Sequence, residues 1–75
     1  MDERENSLNT IIPLLEKIFS CIYCKDIQLK LDSTTDSQLK IKFDNKSFLE
    51  NISGIELSKI YPFVNDCLTK HLSIH

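Results

Sequence analysis

The chain has 75 residues, enough for one domain, and a formal charge of −2, which excludes a global electrostatic pull towards nucleic acid or an anionic membrane. Its 41% apolar and 27% charged residues, with one Gly and two Pro, are those of an ordinary globular chain and exclude a disordered or loop-rich one. A domain of this size buries only about 60% of its unfolded surface, so its stability is small and association would add to it.

No apolar run reaches the ~18 residues of a membrane span. The start, Met1-Asp2-Glu3-Arg4-Glu5, is acid-rich where an export signal would be basic and then apolar. The expectation is a cytoplasmic protein without membrane attachment. Its three cysteines, an odd number, then stay reduced, and Asn45-Lys46-Ser47 and Asn51-Ile52-Ser53 match the glycosylation pattern by chance.

The first element is a helix over about 3–24. Asp2 and Glu5 have capping-box spacing, with Ser7 an alternative start. Leu8, Ile11, Ile12, Leu15, Ile18, Phe19 and Ile22 recur at helical spacing as one apolar stripe. Pro13 lies on the opposite face, so the helix either kinks there or starts just before it.

Next come two strands, about 26–32 and 38–44. Ile27, Leu29, Leu31, Leu39, Ile41 and Phe43 alternate with Gln28, Lys30, Gln38, Lys40 and Lys42, the signature of a half-buried hairpin. Setting Leu31 opposite Leu39 pairs Leu29 with Ile41 and Ile27 with Phe43. It leaves a loop over Ser33 to Ser37 and sets Lys30 opposite Lys40, a mildly unfavourable like-charge pair. After a turn at Asp44-Asn45-Lys46, a second capping box, Ser47 and Glu50, predicts a short helix over about 47–53, stopped by Gly54. The last helix is expected over about 56–72, with the stripe Leu57, Ile60, Tyr61, Val64, Cys67, Leu68 and His71.

The expected fold is therefore a single α+β domain of order α-β-β-α-α, an antiparallel two-stranded hairpin packed against two amphipathic helices. A lone ribbon has two unpaired edges. Pairing one of them with a second copy would give a four-stranded sheet across a twofold axis, so a homodimer through the hairpin edge is expected.

Cys21 and Cys24 form a C-x-x-C, and Cys67 with His71 a C-x-x-x-H. Three thiolates and one imidazole suit a tetrahedral zinc site. Against it, the C-x-x-C encloses bulky residues at a helix end, and Cys67 and His71 fall on a core stripe, where cysteine acts as a small hydrophobe. A helix C-terminus also disfavours a reactive thiolate. No cofactor is expected. A single Gly excludes a phosphate-cradling loop, and no nucleophile has a patterned His and acid partner, so no enzyme is expected either.

Lys30, Lys40 and Lys42 form the local basic patch, without Arg or interleaved aromatics. They would keep an open sheet face soluble, or meet phosphates. Leu14, Tyr23 and Phe63 sit at the margins of the helical stripes as candidate partner contacts. The reading that follows is an interaction module, a regulator, inhibitor or adaptor that binds another protein. The alternative is nucleic-acid binding through the lysine face, and a weaker one is a zinc-stabilised domain on Cys21, Cys24, Cys67 and His71.

Overall fold

The computed structural model describes residues 3–32 and 38–72. Among these the chain forms helix α1 (Glu3–Tyr23), strands β1 (Gln28–Leu31), β2 (Gln38–Phe43) and β3 (Lys46–Asn51), a 3-10 turn (Leu57–Lys59) and helix α2 (Ile60–Leu72). The class is α+β, but the sheet has three antiparallel strands in the order β1-β2-β3, and there are two α-helices where three were expected.

Helix α1 matches the expected 3–24 closely and runs through Pro13, so it does not take the alternative start just before that residue. Pro13 is exposed, so the carbonyl left without an N–H donor lies on the solvent side. Leu8, Ile12, Leu15 and Phe19 are buried, whereas Ile11 is half-buried and Ile18 and Ile22 are exposed. The stripe that enters the core is thus narrower than the stripe in the sequence. At the far end, Lys25 N–H donates to Ser20 O and Cys24 N–H to Cys21 O, with Cys24 at φ +54°. These two bonds and a left-handed residue define a Schellman cap, a position that favours glycine. The second cysteine of the C-x-x-C is therefore the residue that ends the helix.

The hairpin forms in the expected register, with Leu29 opposite Ile41, Leu31 opposite Leu39 and Lys30 opposite Lys40. Ile27 is buried just outside this ladder. The expected loop over 33–37 lies outside the described residues.

The short helix expected over 47–53 is replaced by β3. Asp44 and Asn45 take φ of +52° and +61°, the pair of positive angles that a two-residue type I′ hairpin turn requires. The chain then returns along β2, pairing Phe43 with Lys46, Ile41 with Phe48 and Gln38 with Asn51. Gly54 stops no helix. Ile55 N–H donates to Ile52 O across Ser53-Gly54, and Gly54 at φ +81° supplies the left-handed third residue of a type II turn. The Arg4 guanidinium donates to Ile52 O and Ile55 O at 2.7 and 2.6 Å, tying the start of α1 to this turn.

The last helix starts later than expected. Residues 57–59 form the 3-10 turn, and Pro62 falls in the first turn of α2, where a missing N–H costs little. Ile60, Val64, Cys67 and Leu68 complete the core with Ile27, Leu29, Leu39, Ile41, Phe43, Ile52 and the α1 residues. Both helices cover one face of the sheet, and no described element covers the other.

Candidate functional site

The two edges of the sheet have different surroundings. On the outer side of β1, Ile27 N–H donates to Ser20 Oγ, which donates in turn to Ile27 O, both at 3.1 Å. Leu29 N–H donates to Glu16 Oε2 at 2.9 Å. Glu16 and Ser20 are one helical turn apart on α1, so a single line of side chains satisfies this edge at Ile27 and Leu29.

The bond from Leu29 to Glu16 also fixes the polarity of the other edge. Leu29 and its opposite number Ile41 face away from each other, so Ile41 bonds towards β3, to Phe48. By alternation Lys46 and Glu50 face β2 as well, and the backbone groups of Ser47, Leu49 and Asn51 point outwards. No described residue bonds to those N–H groups. The expected hairpin edges are thus both partly taken, one by β3 and the other by α1 side chains at Ile27 and Leu29. Among the described residues, the edge with no outward N–H group bonded is that of β3.

The open face carries Lys30, Lys40 and Lys42, all exposed, with Gln28 and Gln38. Leu49, opposite Lys40, extends the Lys30–Lys40 row. It is the most exposed large apolar side chain described, at 60%. A shallow hollow of about 510 Å³ on this face is lined by Lys30, Asp32, Lys40, Ser47 and Leu49 among others.

On the helical layer, Leu14, Ile18 and Ile22 follow one another at i, i+4, i+8 along α1 and are 57%, 42% and 53% exposed. They lie between about 50° and 130° round the helix from the centre of the buried stripe. Leu57 and Tyr61 are exposed at the start of the second helical segment, and the Tyr61 ring stands 4.9 Å from Phe19 of α1. Of the partner contacts expected from sequence, Leu14 stands clear. Phe63 is half-buried against the core, and so is Tyr23, whose hydroxyl donates to Asn65 Oδ1 at 2.8 Å and lies 3.2 Å from Thr69 Oγ1. Ile18, Ile22, Leu57 and Tyr61 were read from sequence as core because they share the stripes' period. The angular offset of Ile18, Ile22 and Tyr61 from their stripe centres marks them as surface, whereas Leu57 lies in the 3-10 turn ahead of α2.

The four residues of the weaker zinc reading, Cys21, Cys24, Cys67 and His71, are not assembled into a site. Cys21 and Cys24 are exposed, Cys67 is buried, and no group of three or more His, Cys, Asp or Glu among the described residues is arranged to hold a metal. His71 and Cys67 instead converge on Glu50, a carboxylate on the helix-facing side of β3. His71 Nε2 donates to Glu50 Oε2 at 2.7 Å, and Lys70 Nζ is 3.9 Å from the same oxygen. The His71 ring stacks on Phe48 with centroids 3.7 Å apart, and its Nδ1 is buried without a hydrogen-bond partner among the described residues. Burial, the negative charge of Glu50 and a hydrogen bond to it push the Cys67 thiol up to about 11, with Lys70 opposing. A thiol held neutral in this way is no nucleophile. The cluster docks α2 on β3.

No described helix is long and apolar enough to cross a membrane. No protein-family model, curated protein or solved structure matches the chain.

Proposed function

We propose that the protein is a small interaction module, a cytoplasmic regulator, inhibitor or adaptor that binds another protein through the aliphatic ridge of its helical layer. The observation that carries this reading is the exposure of Leu14, Ile18 and Ile22 on a helix whose core-facing stripe is already filled. Contiguous exposed aliphatics of this kind mark interaction surfaces. The spacing suits a partner that offers an apolar groove or an amphipathic helix.

The test is the double variant Ile18→Glu with Ile22→Glu, compared with wild type by photo-crosslinking in an extract of the source cells. The expected result is loss of the crosslinked partner with the far-UV spectrum unchanged. Retention of the same partner by a folded double variant would overturn the assignment.

A second reading has its own observation, the placement of Lys30, Lys40 and Lys42 on one open sheet face. Phosphate contacts by these lysines would give retention of single-stranded nucleic acid that falls steeply with salt. Changing all three to Glu should abolish that retention. Indifference of wild type to salt and to the charge reversal excludes this reading.

A further inference from the structure

We infer that the outer edge of β3 pairs with the β3 edge of a second copy, antiparallel about a twofold axis at Leu49, and that assembly stops at two. This pairing does not depend on the helical ridge proposed above as the partner surface. The outward backbone groups of Ser47, Leu49 and Asn51 form a template for another strand. With the axis at Leu49, each of these residues exchanges bonds with its counterpart: Leu49 with Leu49 of the second copy, Ser47 with Asn51 of the second copy. The most exposed apolar side chain of the described surface then packs against itself, and Ser47 faces an amide that can hydrogen-bond it.

The charges of the strand agree with this arrangement. Lys46 stands at one end of β3 and Glu50 near the other. In the antiparallel pair Lys46 of each copy lies diagonal to Glu50 of its neighbour, at a spacing long side chains span. No like charges face each other across the new ladder.

The closure argument selects a second copy over a growing array. An isologous pair consumes the β3 edge of both chains. The remaining edges of the six-stranded sheet are the two β1 edges, where Ser20 and Glu16 of α1 already bond to Ile27 and Leu29. A strand pair of this length buries less than the ~1,200 Å² at which standard stable interfaces begin, so the dimer belongs to the weak, concentration-dependent class.

The experiment is sedimentation of the full chain from low-micromolar to near-millimolar concentration. Wild type is expected to show a monomer–dimer equilibrium without larger species. Leu49→Pro removes an outward N–H and leaves the β2–β3 ladder intact. It should weaken dimerisation at least tenfold. Leu49→Lys sets two ammonium groups face to face on the axis and should do the same whether or not the proline variant folds. Ile18→Glu, on the helical face, should leave the equilibrium unchanged. A wild type that stays monomeric throughout, a dimer that survives Leu49→Lys, or a ladder of higher oligomers would each overturn the inference.

Discussion

Along β1 the outward N–H groups of Ile27 and Leu29 end on Ser20 Oγ and Glu16 Oε2, 3.1 and 2.9 Å away, whereas along β3 those of Ser47, Leu49 and Asn51 meet no described residue. A sheet edge can be finished by another strand, by charge and twist, or by a covering helix. Here the helix that fills the core also finishes the near edge. Leu8, Ile12, Leu15 and Phe19 point into the core while Glu16 and Ser20, further round the same cylinder, bond to the β1 backbone. Among the described residues β3 has no such neighbour. Helix α2 reaches it only from beneath, through His71 and Cys67 on Glu50.

Breaking the near edge should have the largest effect. Glu16→Leu with Ser20→Ala leaves the N–H groups of Ile27 and Leu29 part-buried without acceptors. An unsatisfied group of this kind costs ~1–3 kcal/mol, so the pair should lower unfolding free energy by about 2–6 kcal/mol in a urea titration. The same variant exposes a second edge, and where the wild type stops at a dimer it should form larger species. An unchanged urea midpoint would show that the α1 side chains contribute nothing to the edge.

Cys24→Gly sharpens the comparison from the other direction. Cys24 holds a left-handed φ in the cap that turns the chain from α1 into β1. Glycine removes the Cβ penalty there, and a gain of about 0.5–1 kcal/mol is expected in the same titration. A loss would mean that the Cys24 side chain itself contributes to the cap.

On the β3 side a pH-dependent effect is expected. The fold raises the Cys67 thiol from 9.0 to about 11, so the folded chain holds this proton more tightly than the unfolded one. The associated stability is fully present below about 9 and is lost as pH rises through about 11. Comparison of denaturation midpoints over that window should show a steeper fall for wild type than for Cys67→Ala. Equal slopes would remove Cys67 from the contact between α2 and β3.

The hairpin was legible because six apolar residues alternate with polar ones on both sides of the loop, and a one-residue slip would turn Leu29, Leu39 and Ile41 out of the core. β3 was hidden by two signals. Ser47 and Glu50 have capping-box spacing, and Glu50 breaks the alternation by facing the helices as an acid. That inward carboxylate makes sense only once His71 and Cys67 are placed against it, a contact between residues 21 apart in sequence. The turn was the readable clue: Asp44-Asn45 are residues that tolerate positive φ, and two of them in succession fit a type I′ turn. On the surface, the lysine face followed directly from the alternation. The ridge of Ile18 and Ile22 did not, because residues at the margin of an amphipathic stripe share its period whether or not a neighbour covers them.

Amide hydrogen exchange at concentrations too dilute for association tests the contrast between the edges most directly. The account predicts that the Ile27 and Leu29 amides exchange slowly, as bonded groups do, while those of Ser47, Leu49 and Asn51 exchange near the rate of open backbone. Comparable rates at the two edges, or protection of Leu49 in the dilute monomer, would contradict it.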